Sequence, residues 1–147
     1  MGQLLIFGLG YTATCIADAM RTKGWQARAT GSAGDIAFAD SDAVLAAIRE
    51  ASHILSSVPP DRVSGGDPVL DFYGEALAGK PLFYLSSTGV YGDRAGAWVD
   101  EATPTIAESG EGRRNARAEA DLAWLNMGAR VFRLPGIYGP GRSALDR

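Results

Sequence analysis

The stretch LLIFGLGYTA, residues 4–13, decides the fold because it joins a buried strand to a helix through a glycine turn. The four apolar residues Leu4 to Phe7 predict a strand that is covered on both faces. Gly8 and Gly10 follow at once, and a helical pattern then runs from Tyr11 to Lys23, where Gly24 ends it. A strand, a tight glycine turn and a helix in this order begin a β-α-β unit.

The turn itself reads G-x-G-x-x-A from Gly8 to Ala13, which predicts a dinucleotide site when it lies between a strand and a helix. Gly8 permits the tight turn, Gly10 lets the backbone approach a pyrophosphate, and Ala13 keeps the helix close to the sheet. The first helical N–H groups, at Tyr11 and Thr12, would meet the phosphates. The alternative is a tight turn that only packs.

Outward from this turn, short apolar runs alternate with helical periods along the whole chain. Predicted strands cover Trp25 to Thr30, a very short Ile36 to Phe38, His53 to Val58, Leu82 to Ser86, and Ala129 to Leu134. One predicted helix runs from a Ser41 cap to Glu50. A second begins at an Asp67 cap and Pro68, has Phe72 on its inner face and ends just before Gly79. A third runs from about Gly110 to Met127. This alternation predicts one α/β domain over residues 1–147, a doubly wound parallel sheet of the Rossmann type with about six strands.

The end of the second strand bears on the choice between NAD and NADP. An acidic residue about 20 positions after the glycine turn would hold the ribose hydroxyl and favour NAD. Residues 28–32 read RATGS, and Asp35 comes late. Thr30 and Ser32 could hydrogen-bond either a hydroxyl or a phosphate, so the sequence predicts NAD or NADP with a slight preference for NADP.

Composition excludes several classes of function. The formal charge is −3, from 14 basic and 17 acidic residues, which gives no reason to expect nucleic acid or an anionic membrane as a partner. Cys15 and His53 are the only residues of their types, so neither an internal disulfide nor a usual zinc site can form. No apolar run approaches a membrane span, and we expect a cytoplasmic location.

Two further segments carry a family resemblance. Residues 85–93, LSSTGVYGD, followed by DEATP at 100–104, resemble the S-S-x-x-V-Y-G segment and acidic loop of extended short-chain dehydrogenases/reductases. Residues 133–141, RLPGIYGPG, are similar to the R-x-x-x-x-Y-G-P-G segment of the same proteins. The chain therefore resembles an NAD-dependent epimerase/dehydratase, of the atypical subgroup with a G-x-G-x-x-A loop.

The resemblance implies roles for the matching residues. Ser87 falls at the position of the family's catalytic Ser or Thr, where its hydroxyl would hydrogen-bond a substrate oxygen. Ser57 and Val58 fall where relatives contact the cofactor ribose, and Pro135, between Leu134 and Gly136, falls where the backbone meets the nicotinamide carboxamide. Such proteins take a dinucleotide and a small polar substrate, for example a nucleotide sugar.

The family's Tyr-x-x-x-Lys acid/base pair is absent, since no tyrosine lies between Tyr91 and Tyr138. One register puts Arg113 at the tyrosine position and Arg117 at the lysine position; a second gives Glu111 and Asn115. Arginine stays protonated and cannot cycle a proton, but both arginines could hold an anion by bidentate contacts. The alternative is a solvated basic face paired with acidic neighbours.

The chain also lacks most of the family's substrate-binding lobe, so that lobe is missing or truncated. We expect apolar surface that the lobe would cover to be exposed, or covered by a partner such as a second copy in a homodimer. Whether the chain is an enzyme is therefore open: the sequence fits an oxidoreductase or isomerase, a non-catalytic NAD(P)-binding or redox-sensing module, or an inactive fragment.

Overall fold

Five parallel strands form the sheet of this computed structural model, which describes residues 1–110 and 115–143. The strands are β1 (Gln3–Phe7), β2 (Gln26–Ala29), β3 (His53–Ser56), β4 (Leu82–Ser87) and β5 (Arg130–Leu134). Their order is β2-β1-β3-β4-β5, and all neighbours are parallel. The doubly wound prediction is confirmed. The winding direction reverses between β1 and β3, where such sheets bind ligands at the carboxyl ends of the strands.

The predicted sixth strand, Ile36 to Phe38, is not one. Only a single parallel bridge between Thr30 and Ile36 extends the sheet there. Phe38 turns instead into the core, where its ring lies edge-on to Tyr73 at 5.3 Å and its carbonyl accepts a 2.5 Å hydrogen bond from the Tyr73 hydroxyl. Contacts with a helix therefore replace strand pairing for this segment.

The helices are α1 (Tyr11–Thr22), α2 (Ser41–Glu50), α3 (Pro68–Leu77), α4 (Ile106–Ser109) and α5 (Ala116–Asn126). The predicted cap of α3 is confirmed, since the Asp67 carboxylate accepts from the N–H groups of Val69 and Leu70. The predicted cap of α2 is wrong, because Asp40 accepts from Ala43 N and Ser41 is already helical. Phe72, predicted on the inner face of α3, is 74% exposed.

Side chains alternate across the sheet and build two cores. On one face, Leu5 and Phe7 pack with α2, α3 and α5, whose Trp124 is fully buried. On the other face, Leu4 and Ile6 meet α1 alone. Ala13 and Ala17 bring α1 close to the strands, as the sequence predicts for Ala13.

Among the described residues only α1 covers the second face, and an apolar cleft of about 360 Å³ opens beside it. Its walls include Ile16 and Met20 of α1, Phe83 and Leu85 of β4, and Phe132 of β5, which is 48% exposed. The expected exposed apolar surface is therefore present. Within residues 1–110 and 115–143, no helix has the length and apolar character needed to cross a membrane.

Candidate nucleotide-binding cleft

A cleft of about 470 Å³ lies at the carboxyl ends of β1, β3 and β4. Its size is within the range of small-ligand sites. The glycine turn, the strand ends, the first turn of α5 and the segment after β5 surround it. The lining residues are Gly10, Tyr11, Thr12, Ala13, Ser57, Pro59, Leu85, Ser86, Ser87, Arg117, Leu134, Pro135, Ile137 and Arg142.

Hydrogen bonds hold the glycine turn at Gly8, and the space beside Gly10 is empty. Gly8 has φ +82°, its N–H donates to the Thr30 hydroxyl at 3.2 Å, and its carbonyl accepts from the Ser57 hydroxyl at 2.5 Å. A Cβ added at Gly10 would meet no atom within 4 Å. The space above Gly10 is therefore available to a ligand rather than filled by the protein.

The start of α1 offers unused hydrogen-bond donors to this space. Gly10 is the N-cap and has no side chain with which to accept from the first N–H groups, and the first turn contains no acidic residue. The Gly10 carbonyl accepts from Thr14 N at 2.8 Å and so closes the first helical turn. The remaining N–H groups and the partial positive charge of the helix end favour an anion here.

Most of the predicted site residues that the structure describes line this cleft, and four do not: Gly8, whose place beneath the turn is given above, and Thr30, Val58 and Ser32. Gly10, Tyr11, Thr12, Ala13, Ser57, Ser87, Arg117 and Pro135 are in its walls. Thr30 is 1% exposed, and its hydroxyl supports Gly8 instead of facing a ligand. Val58 lies beneath Gly8, since a Cβ there would come within 3.0 Å of Val58 Cγ2. Ser32 is exposed and lies outside the walls.

Asp35 returns to the end of β2, although seven residues separate it from Arg28. Its carboxylate accepts from Ala29 N at 2.8 Å and from Arg28 Nε at 2.9 Å. Burial tends to raise the pKa of this carboxyl, but the hydrogen bonds from Ala29 and Arg28 outweigh it and lower the pKa overall. A negative charge therefore stands at a strand end where the sequence predicts none.

The two serines that end β4 have different environments. The Ser87 hydroxyl accepts from Gly89 N at 3.1 Å, which caps the following 3₁₀ turn and leaves its own proton available for donation. Ser86 is only 5% exposed, and its hydroxyl has no hydrogen-bond partner among the described residues. The sequence predicts a role for Ser87 and none for Ser86.

Arg117 reaches the cleft from the first turn of α5. The predicted helix start near Gly110 is wrong, because α5 begins at Ala116 under an Asn115 cap. The Asn115 side chain accepts from Arg117 N and donates to Gly89 O at 3.3 Å, which ties α5 to the end of β4. Arg113 lies outside the described residues.

The guanidinium of Arg117 donates to the Tyr84 hydroxyl at 3.1 Å, a tyrosine contact that the sequence did not reveal. Tyr84 is fully buried and stacks on Trp124, with ring centres 5.3 Å apart. Burial raises the pKa of Tyr84 to about 12, although Arg117 acts in the opposite direction. Tyr84 therefore stays protonated at neutral pH and does not replace the missing acid/base tyrosine.

Arg142 is a second arginine in the walls that sequence reasoning missed. The Tyr11 hydroxyl donates to Pro140 O at 3.1 Å, and the Arg142 guanidinium lies 5.5 Å from the centre of the Tyr11 ring. The segment after β5 thus folds back over the start of α1. The only available signal was that Arg142 directly follows the YGPG segment. Among the described residues, the cleft walls contain two arginines and no carboxylate.

Asp100 and Glu101, which belong to the acidic loop at 100–104, lie elsewhere. Both border a separate open cleft of about 990 Å³. The Asp100 carboxylate accepts from Ala102 N and Thr103 N, each at 3.0 Å, and so closes its own turn. Tyr91, whose ring is buried, donates to Asp100 O at 2.8 Å and is a core residue.

Comparison with known proteins places this geometry among solved structures. A conserved protein of unknown function from Silicibacter pomeroyi is 36% identical over 97% of the chain, with a TM-score of 0.74. A Methylobacillus flagellatus protein, provisionally described as an NAD-dependent epimerase/dehydratase, is 24% identical over 96% of the chain, with a TM-score of 0.73. A short-chain dehydrogenase/reductase superfamily protein from Agrobacterium tumefaciens with bound NAD is 16% identical over 89%, with a TM-score of 0.60.

The chain has the short-chain dehydrogenase/reductase fold. It spans 56% of the length of the first two structures and 48% of the third, so it corresponds to about half of such a protein. No family model matches the sequence, and no curated protein does. Within this fold the glycine turn, the end of β4 and the start of α5 converge on the cleft described above.

Proposed function

We propose that the cleft binds NAD and that the chain is the dinucleotide-binding part of an epimerase/dehydratase-type protein acting on a small polar substrate. The observation that carries the proposal is the open space above Gly10, at an uncapped helix start and in a cleft with two arginines and no carboxylate. An electropositive cleft of this shape favours the pyrophosphate of a dinucleotide.

The residues present fit such a cofactor. The first N–H groups of α1 and the Arg142 guanidinium would hold the pyrophosphate, while Ser57 fixes the glycine turn through Gly8 O. Pro135 and Ser87 border the other end of the cleft, where the nicotinamide would lie. When bound, NAD supplies a carrier for hydride, and the chain supplies its position.

The reason for inferring a preference for NADP from the sequence no longer applies. It rested on the absence of a carboxylate at the end of β2, and the Asp35 carboxylate hydrogen-bonds there to Ala29 N. The carboxylate is paired with Arg28 at 2.9 Å, but its oxygens can still accept from the free ribose hydroxyl of NAD, a donor that the 2′-phosphate of NADP does not supply. We therefore propose NAD as the preferred cofactor.

The proposed function does not include the family's usual proton transfer. Arg117 stays charged and Tyr84 stays protonated, so neither can exchange a proton near neutral pH. A non-catalytic NAD-binding module is the second candidate, and the Arg117–Tyr84 contact favours it. Any chemistry in a longer protein would depend on Ser87, whose hydroxyl proton is available in the cleft.

Calorimetric titration of the chain with NAD⁺ and with NADP⁺ tests the proposal. We expect tighter binding of NAD⁺, and Arg142→Gln to weaken it by about tenfold, the value of a charge-assisted hydrogen bond. Arg49→Gln, at an exposed position of α2, is the matched control and should change nothing. Absence of NAD⁺ binding by the wild type, or an equal loss in both variants, would overturn the assignment.

A further inference from the structure

We infer that the cleft contains a second anion subsite, formed by Arg117 and Ser86, that takes the carboxylate or phosphate of a small substrate bound beside the dinucleotide. This inference rests on the proposed function. It deepens that function by naming the charge class of the substrate and the residues that recognise it.

The two arginines of the cleft contact different elements of the fold. Arg142 lies over Tyr11, at the start of α1 and hence above β1. Arg117 lies against Tyr84 of β4. β3 separates β1 from β4 in the sheet, so the backbone at the start of α1 and Tyr84 are roughly 10 Å apart across the strands at the usual strand spacing of about 4.8 Å. A pyrophosphate seated at the start of α1 leaves Arg117 to another anion.

Arg117 has the donors to bind that anion. One nitrogen, Nη1, donates to Tyr84, and the rest of the guanidinium is available along the cleft wall. Within the described part of the chain, Arg117 forms no ion pair, and the acidic neighbour Asp121 is committed to Arg133 at 2.9 Å. The Arg117 N–H donates to the Asn115 side chain, which fixes the Arg117 backbone, so the Arg117 side chain extends from a rigid position. A planar, preorganised guanidinium suits a carboxylate or phosphate.

The Ser86 hydroxyl indicates independently that a ligand atom binds at this position. It lines the same cleft next to Ser87, is 5% exposed, and has a hydroxyl without a partner among the described residues. Leaving a buried hydroxyl unpaired destabilises the folded protein, because the hydroxyl loses its hydrogen bonds to water. A ligand oxygen held by Arg117 at the end of β4 would accept this hydrogen bond and remove that destabilisation.

The subsite is tested by titrating the NAD-saturated chain with inorganic phosphate and, separately, with acetate. Saturation with NAD⁺ blocks the helix start, so added anion reports on the second subsite alone. We expect Arg117→Gln to weaken anion binding by about tenfold or more and to weaken NAD⁺ binding by much less. Ser86→Ala should weaken anion binding severalfold, and Arg49→Gln is again the control. Whichever anion binds tighter identifies the substrate group.

One further variant and the outcomes that would overturn the inference complete the test. Arg117→Lys keeps the charge without the planar fork and should bind anion with intermediate affinity, which serves if the glutamine variant does not fold. The inference is overturned if the NAD-loaded wild type binds neither anion, or if Arg117→Gln weakens NAD⁺ and not the anion. If the wild type binds no NAD⁺, the proposed function fails, and the same anion titration on the unloaded chain still decides the role of Arg117.

Discussion

The two glycines of the turn serve different physical needs. Gly8 has φ +82°, a left-handed conformation that a side chain strains, and a Cβ there would also come within 3.0 Å of Val58 Cγ2. Gly10 has φ −84°, which any residue adopts, and its missing side chain leaves empty space. Folding therefore requires glycine at position 8, whereas only a ligand requires it at position 10.

Asp67 illustrates a residue that the sequence identifies only in part. Its role as the cap of α3 was predictable, because Asp before Pro at a helix start is a strong signal. Its second oxygen accepts from Trp124 Nε1 at 2.7 Å, across 57 positions of sequence. Only the fold brings this partner close, so no local pattern could reveal it.

Asp67 also gives a pH-dependent prediction. Burial raises the pKa of its carboxyl more than the hydrogen bonds from Trp124, Leu70 and Val69 lower it. Between the unfolded value, about 3.9, and the higher folded value, the native state binds more protons than the unfolded state, so ionisation of Asp67 with rising pH costs stability. The variant Asp67→Asn avoids that cost. We expect its free energy of unfolding, relative to wild type, to improve as the pH rises from about 4 to 7.

Urea unfolding of both proteins at each pH measures this difference. Asp42→Asn, at an exposed position in α2, is the control and should show no comparable trend. A difference between Asp67→Asn and wild type that is constant with pH, or that moves against the variant, would be inconsistent with a raised pKa.

At the scale of elements, the existence of the five strands and of α1, α2, α3 and α5 was easier to predict than their limits, whereas α4 had no sequence prediction. The predicted helix from Gly110 to Met127 merged two features: Gly110 ends α4 in a left-handed conformation, and Asn115 starts α5. Both are ordinary boundary signals, but the continuous charged and alanine-rich composition obscured them. The error matters for function, since the true start puts Arg117 in the first turn, where Asn115 fixes it.

The contact between α5 and β5 depends on a buried ion pair. Arg133 donates through Nε and Nη2 to the two oxygens of Asp121, which is fully buried, and this bidentate contact further raises the pKa of the guanidinium. Removing one partner leaves an uncompensated buried charge. We therefore expect Asp121→Ala to lower the free energy of unfolding by about 3–5 kcal/mol.

Chemical denaturation measures this loss, and an exposed pair provides the control. Asp18 and Arg21 are joined at 3.1 Å on the surface of α1, with most of the Asp18 side chain in solvent. Asp18→Ala should cost at most about 1 kcal/mol. Equal effects of the two substitutions would mean that the Asp121–Arg133 pair does not hold α5 to the sheet.

At the scale of the whole molecule, the doubly wound class followed from the alternation of strands and helices, but the distribution of helices over the faces did not. In the described part of the chain, α2, α3 and α5 share one face and α1 packs on the other. The apolar cleft beside α1 is the consequence. The sequence indicated that apolar surface would be exposed, but its position depends on crossovers that only the structure shows.

The whole chain should bind cofactor without appreciable turnover. General acid/base catalysis contributes about 10²–10⁴-fold, and among the residues that the structure describes no Tyr-x-x-x-Lys pair lines the cleft to supply it. We expect neither NADH absorbance nor any converted sugar by chromatography when the chain and NAD⁺ are mixed with a panel of nucleotide sugars and sugar acids. Chromatography is needed because an epimerase regenerates NAD⁺ in each turnover and leaves the absorbance unchanged. Clear turnover that survives Ser87→Ala would refute both the expected inactivity and the proposed role of Ser87.

The most direct test of the account is calorimetric titration of NAD⁺ into the wild type, Gly10→Val and the control Gly74→Val. Both glycines have open space at the Cβ position, but Gly74 lies in α3, away from the cleft. We predict that all three proteins fold with similar stability, that the wild type and Gly74→Val bind NAD⁺ alike, and that Gly10→Val does not bind because its side chain occupies the pyrophosphate position. Equal binding by Gly10→Val, or no binding by the wild type, would contradict the central claim that this cleft holds a dinucleotide.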